Sequence, residues 1–234
     1  MIDLHSHLLP DVDDGVEVFD ESIEIIRELA RHGIKKIVLT PHYVPETIYN
    51  SPRSDNLKLL HELKKSMQDE SLDLELFLGN EIYINGDISS LVKDKIISPL
   101  GNGKYLLIEL PMSGIYEGYE DIFYNLQIEG FSIILAHPER YISMQKDFSI
   151  LERLHNLGIL FQCNLGSIVE QYGHKAKKTV KKLAKKDMIF AFGTDVHHFR
   201  DFSDIDKAIA LLTKIYGKAK LDKLLVDNPL KVLK

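Results

Sequence analysis

Seven short stretches of the chain are almost continuously apolar: Ile2–His5, Lys36–Thr40, Leu74–Leu78, Tyr105–Glu109, Ile133–Ala136, Leu160–Asn164 and Ile189–Gly193. A strand with one face in water alternates apolar and polar residues, whereas a strand covered on both faces is apolar throughout. The seven stretches therefore predict buried strands of a parallel sheet. Between them the apolar positions take a helical period. Ile23, Ile26, Leu29 and Ala30 share one face of a helix that Asp20 can cap and Gly33 ends. Leu57, Leu60, Leu63 and Met67 mark a second helix. Others are predicted near 119–129, 147–157, 174–186, 204–216 and 219–227, with a short one around Ile88, Leu91 and Val92.

Three strands are entered in the same way. Arg31-His32-Gly33-Ile34, Ile128-Glu129-Gly130-Phe131 and Asn156-Leu157-Gly158-Ile159 each join a helix end, a glycine able to take positive φ, and an apolar return to the core. Repeated strand–helix units build either a closed (β/α) barrel or an open doubly wound sheet. No Gly-x-Gly-x-x-Gly follows a strand, so a dinucleotide fold has no support. No linker or low-complexity stretch divides the 234 residues, and a single domain over 1–234 is expected.

The formal net charge of −6 argues against a general nucleic-acid binder. One cysteine, Cys163, excludes a disulfide framework within the chain and argues against a thiolate zinc site. No apolar run is long enough for a membrane span, so no membrane insertion is expected. The start Met1-Ile2-Asp3-Leu4-His5 lacks the basic and apolar parts of a signal peptide, and a cytoplasmic protein is expected.

The strand ends carry metal-ligand residue types. They read His5-Ser6-His7, Thr40-Pro41-His42, Gly79-Asn80-Glu81, Glu109-Leu110-Pro111, Ala136-His137-Pro138-Glu139-Arg140 and Thr194-Asp195-Val196-His197. In a parallel barrel these ends share one face. His5 and His7 are two apart, so on a strand both point the same way. His-x-His alone is a weak motif, and a lone histidine is usually a surface or satisfied core residue. His32, His61, His155, His174 and His198 fit that plain reading. The other five of the ten histidines sit at strand ends beside carboxylates, which metal ions would satisfy most simply.

The blocks resemble the polymerase-and-histidinol-phosphatase (PHP) superfamily. Within it they resemble the bacterial manganese-dependent protein-tyrosine phosphatases of capsule and exopolysaccharide operons, the CpsB-like group. His5-Ser6-His7-Leu8-Leu9-Pro10-Asp11-Val12-Asp13-Asp14-Gly15 matches the family's His-x-His-x-x-Pro-x-x-Asp-Asp-Gly opening. Thr40-Pro41-His42, Gly79-Asn80-Glu81-Ile82, Leu107-Ile108-Glu109, Ala136-His137-Pro138-Glu139-Arg140-Tyr141 and Thr194-Asp195-Val196-His197 follow in order. The resemblance implies a distorted (β/α)7 TIM-like barrel, the PHP fold. It implies three divalent metal ions, manganese first, with iron or zinc also suited to the ligand types. His5, His7, Glu81 and Asp195 would hold one ion, Glu81 with Glu109 and His137 the second, and Asp14, His42 and His197 the third. Arg140, Asp14 and His42 would take catalytic roles, with Arg140 and Arg200 binding substrate phosphate. The implied reaction is hydrolysis of phosphotyrosine by a hydroxide bridging two metals. The implied partner is the phosphorylated tail of a bacterial tyrosine kinase.

Two positions depart from the family pattern. Asp11 replaces a usual glycine, so the loop before Asp14 is expected to differ in shape. Val196-His197-His198 replaces Ala-His-Asn, which sets His198 in competition with His197 as a ligand. Cys163 lacks an arginine six residues on (Val169 is there) and reads as a buried structural thiol. The helix His174–Asp187 bears Lys175, Lys177, Lys178, Lys181, Lys182, Lys185 and Lys186, read first as a solvated face and second as a dock for an acidic or phosphorylated partner. The loops Tyr43–Asn56 and Pro111–Tyr119 should border the site, and their tyrosines either hold a substrate ring or pack on the loops themselves. Two other functions remain open: a phosphatase acting on a small molecule such as histidinol phosphate, and a non-catalytic module stabilised by metal.

Overall fold

The computed structural model describes residues 1–69, 72–101, 103–114, 116–202 and 204–234, and for 69, 200 and 202 the backbone alone. Its strands are β1 (Ile2–Asp3), β2 (Lys36–Leu39), β3 (His42–Tyr43), β4 (Glu75–Leu78), β5 (Glu81–Tyr83), β6 (Tyr105–Glu109), β7 (Ser132–Ala136), β8 (Leu160–Asn164) and β9 (Ala191–Gly193). All the pairings are parallel, in the orders β1-β2-β4 and β3-β5-β6-β7-β8-β9. A parallel bridge between Ser6 and Val196 brings the last stave back to the first. The Asp195 amide donates to His5 O and the His7 amide to Val196 O, each at 2.9 Å. The result is a closed barrel of the distorted (β/α)7, TIM-like kind.

β3 and β5 were not anticipated as strands. They continue β2 and β4 past short interruptions at Thr40-Pro41 and Gly79-Asn80. Pro41 has no N–H to give the ladder. Asn80 spans the break instead: its Nδ2 donates to Pro41 O at 3.0 Å and its Oδ1 accepts the Ser98 amide at 2.8 Å. The bent staves carry His42 and Glu81 beyond the main ladder.

The helices are α1 (Phe19–Arg31), α2 (Arg53–Asp69), α3 (Ile88–Lys93), α4 (Tyr119–Ile128), α5 (Ile142–Lys146), α6 (Ser149–Asn156), α7 (Leu165–Ile168), α8 (Gly173–Lys185), α9 (Ile205–Tyr216), α10 (Lys218–Asp222) and α11 (Asn228–Val232). Asp20 does not cap α1. The extended residue before the helix is Val18, and Asp20 lies in the first turn, where its charge complements the helix dipole. The helix expected over 147–157 begins at Ser149, because the Asp147 carboxylate accepts both the Ser149 amide (3.0 Å) and its hydroxyl (2.6 Å). The last helical stretch runs past 227 to Val232, with a wide π turn at Lys223–Asp227 ahead of Pro229. Among the described residues no helix is long and apolar enough to cross a membrane.

Ile2, Leu4, Val38, Leu107, Ile134, Ala136 and Ala191 pack together from five staves, which only the barrel interior can bring about. Two larger clusters lie between staves and helices. Cys163 on β8 is fully buried, and burial first, then the neighbouring Glu139 carboxylate, pushes its thiol well above the usual range. It cannot be a resting thiolate. Cys163→Ser should therefore keep its turnover per folded molecule. Its stability should fall by about 1 kcal/mol, the low end for an added buried hydroxyl, because Glu139 offers an acceptor. Urea melts and initial rates check this, and a folded but inactive variant would point to sulfur chemistry.

Candidate metal centre

Glu81, the first residue of β5, is at the middle of the strand-end cluster. Its Oε2 lies 3.0 Å from His5 Nε2, 3.2 Å from His7 Nε2 and 3.3 Å from His42 Nδ1. Its Oε1 lies 2.8 Å from His137 Nε2. Asp195, just past β9, sets Oδ1 at 3.2 Å from His5 and 3.5 Å from His7. His5 and His7, two apart after β1, face each other through Nε2 at 3.1 Å. Glu109, at the end of β6, approaches His137 at 3.7 Å and His42 at 3.9 Å. Asp14 Oδ1 lies 3.4 Å from His42 Nε2 and 3.5 Å from His197 Nε2, and its side chain is half exposed, so this group opens to solvent.

Among the described residues three sets of donors emerge: His5, His7, Glu81 and Asp195; His42, Glu81 and Glu109; and His7, Asp14, His42 and His197. His137 adjoins the second through Glu81 and Glu109. In the first set the donors are 3.0 to 3.5 Å apart. Atoms about 2.1 Å from a shared ion, at right to tetrahedral angles, stand roughly 3.0–3.4 Å apart. His197 joins the cluster, whereas His198 is in none of these sets; its amide binds Asp201 at 2.8 Å.

Several supporting residues lay outside the sequence expectation. Asp13 Oδ2 pairs with His7 Nδ1 at 2.7 Å and accepts the His42 amide at 2.9 Å. Gln162 Oε1 meets His5 Nδ1 at 2.8 Å, and Asn164 Nδ2 donates to Asp195 Oδ2 at 2.6 Å. Such partners fix which ring nitrogen faces the centre. Asp13 stood inside the quoted opening block. Gln162 and Asn164 were visible as alternate polar residues in an otherwise apolar strand.

The backbone turns sharply at two of these positions. Asp195 has φ +55° and His137 φ +32°, in the left-handed region that costs most side chains about 1–3 kcal/mol. Asp11 takes φ +57°, the conformation glycine adopts freely and aspartate tolerates. The replacement of glycine is thus absorbed in the turn itself. Gly15 has no such latitude, since a Cβ there would lie 2.2 Å from His7 O.

The electrostatics call for cations. Burial, then Glu81 and Asp195, raise Glu109 far above the ordinary carboxylate range. Burial opposes charge on His5, yet Glu81 and Asp195 raise it to about 9. Burial lowers His137 to about 4. The hydrogen bond from His197 takes Asp14 down to about 2. His42 Nδ1 is buried without a hydrogen-bond partner among the described residues, although Glu81 is near. Crowded carboxylates and an unpaired imidazole nitrogen, all hard or borderline donors, fit divalent metal ions.

Arg140 lies beside this cluster. Its Nη1 donates to Asp195 Oδ2 at 2.6 Å, and its Cζ stacks 4.3 Å from the centroid of Tyr172. The rest of the guanidinium has no protein acceptor among the described residues. Arg200, expected as a second phosphate ligand, has its side chain outside the described residues. The loop tyrosines divide: the Tyr49 ring lies 6.3 Å from His42, while Tyr119 is buried against Phe123 and bonds Glu120 and Arg153.

A family model for capsular polysaccharide synthesis, CpsB/CapC, matches residues 1–234. The putative tyrosine-protein phosphatase CapC of Staphylococcus aureus is 33% identical over 197 residues, covering 84% of this chain and 77% of that protein. The tyrosine-protein phosphatase YwqE of Bacillus subtilis is 31% identical over 230 residues, covering 97% and 89%. Crystal structures of YwqE from Bacillus subtilis and CpsB from Streptococcus pneumoniae, metal-dependent tyrosine phosphatases, include a chain that superposes with a TM-score of 0.93 at 30% identity, covering 100% of this chain and 94% of that one. A β-aspartyl dipeptidase from Fervidobacterium islandicum shares the fold alone, with a TM-score of 0.61 at 13% identity and coverage of 99% and 72%. Matched along its whole length by the family model, the chain belongs to the CpsB/CapC family of capsular polysaccharide synthesis.

Proposed function

We propose that this chain is a metal-dependent protein-tyrosine phosphatase. The observation that carries the reading is Glu81, one buried carboxylate within 3.3 Å of four imidazoles, His5, His7, His42 and His137. In this reading His5, His7, Glu81 and Asp195 hold one divalent ion, Glu81, Glu109 and His137 a second, and Asp14, His42 and His197 a third. Manganese is the first choice, with iron or zinc compatible with the same donors. Bound there, the ions supply an activated water and neutralise charge on phosphate.

The chain's own groups do the rest. Arg140 turns its unpaired N–H groups to the phosphate, held flat by Tyr172 and anchored by Asp195. Asp13, Gln162 and Asn164 keep His7, His5 and Asp195 in orientation. Tyr49 offers an aromatic wall beside His42 for the substrate ring. A phenol leaves with a pKa near ~10 and needs less acid help than an alkyl alcohol. The names of the relatives support phosphotyrosine protein as the substrate. The tail of a bacterial tyrosine kinase, met in the cytoplasm, is the specific partner proposed.

Chelation followed by metal analysis tests the reading. Metal-free protein should be inactive on a phosphotyrosine peptide, and manganese, iron or zinc should restore turnover to different degrees. Histidinol phosphate should be the poorer substrate. Full activity after verified metal removal would end the reading, and a preference for histidinol phosphate would move it to a small-molecule phosphatase.

A further inference from the structure

The lysine-rich helix noted in the sequence forms one wall of a groove. α5 and the chain after it supply Ile142, Lys146 and Phe148, and α8 supplies Lys175, Lys178 and Lys182, around about 360 Å³. Among the described residues no carboxylate lines it. Lys146, Lys175 and Lys178 have no ion-pair partner among the described residues, and Lys182 Nζ rests 3.8 Å from the Phe148 ring centroid. In a chain of net charge −6, four lysines around an apolar floor are a local reversal of sign.

The groove adjoins the metal cluster through both walls. α8 starts after Tyr172, whose ring stacks on Arg140. α5 starts two residues after Arg140, and Gln145 Nε2 donates to Glu139 O at 2.9 Å and Arg140 O at 3.4 Å. Lys175, Lys178 and Lys182 follow at i, i+3 and i+7, on one face of α8. Seven residues of helix span about 10 Å. That is roughly three residues of extended peptide.

We propose that this groove docks the acidic stretch of polypeptide flanking the phosphotyrosine, lysines pairing with its carboxylates and Ile142 and Phe148 covering its apolar parts. The proposal rests on the phosphatase reading. A groove whose two walls both run back to the residues around Arg140 fits a peptide better than a flat membrane surface.

Phosphotyrosine peptides flanked on either side by three glutamates, or by three glutamines, test it, with p-nitrophenyl phosphate as a substrate too small to reach the groove. The native protein should prefer one glutamate peptide by about tenfold in kcat/KM at low salt, the scale of two or three exposed ion pairs. The preference should fade as salt rises. The Lys175→Ala/Lys178→Ala variant should lose it while its kcat/KM for p-nitrophenyl phosphate stays unchanged. Equal use of glutamate and glutamine peptides overturns the proposal, as does a preference that the double variant keeps. Lysine-dependent binding to anionic-lipid vesicles without peptide discrimination assigns the groove to a membrane and also overturns it. Failure to hydrolyse p-nitrophenyl phosphate at all strikes the phosphatase reading instead.

Discussion

Glu81→Gln should lower phosphotyrosine hydrolysis by more than about 10²-fold and leave the purified protein short of metal by elemental analysis. The change keeps the shape of a side chain that is fully buried, so packing is conserved. What it removes is the negative charge that His5, His7, His42 and His137 all approach within 3.3 Å. Burial opposes that charge, but His5, His42 and His137 hold Glu81 ionised well below the usual range. An amide in its place gives each ion a weaker ligand and leaves Glu109 and Asp195 as the remaining carboxylates deep in the cluster. Loss of a partner that merely orients a metal ligand costs about 10–100-fold. A residue that belongs to two donor sets at once should cost more. Circular dichroism separates this from unfolding. A folded Glu81→Gln protein with full metal content and near-native turnover would show that the centre is not organised around Glu81.

The seven staves were legible because parallel strands covered on both faces must be apolar, and the chain offers seven such stretches. The ligand types were legible because six of the seven predicted strands end in one, and a closed barrel gathers those ends on one face. The supporting residues were less legible. Asp13 next to Asp14 looks like one acidic pair, yet Asp13 turns in to His7 and Asp14 faces the solvent side. Tyr172 and Arg140 are 32 positions apart and meet because the 3-10 turn Pro138–Arg140 packs against the start of α8. Local signals also misled where backbone angles decided the outcome. Asp20 has the side chain of a cap, but the extended residue is Val18.

Arg140→Ala should lower kcat/KM for a phosphotyrosine peptide by about 10²-fold, the loss of one charge-assisted contact made at the transition state. Because its Nη1 also binds Asp195 Oδ2, a second reading must be separated: Arg140 could act only by steadying Asp195. Asp195 keeps two other restraints in the variant, the hydrogen bond from Asn164 at 2.6 Å and its backbone bond to His5 at 2.9 Å. Metal content should therefore stay native. Arg140→Lys distinguishes the roles further. A lysine ammonium can still neutralise Asp195, but it cannot present a planar fork to phosphate or lie flat on Tyr172 at 4.3 Å. Recognition of phosphate then predicts three results together: native metal content in both variants, only partial rescue by lysine, and weaker inhibition by inorganic phosphate in both. If lysine restores full turnover, or if Arg140→Ala loses metal in step with activity, the guanidinium serves Asp195 rather than the substrate.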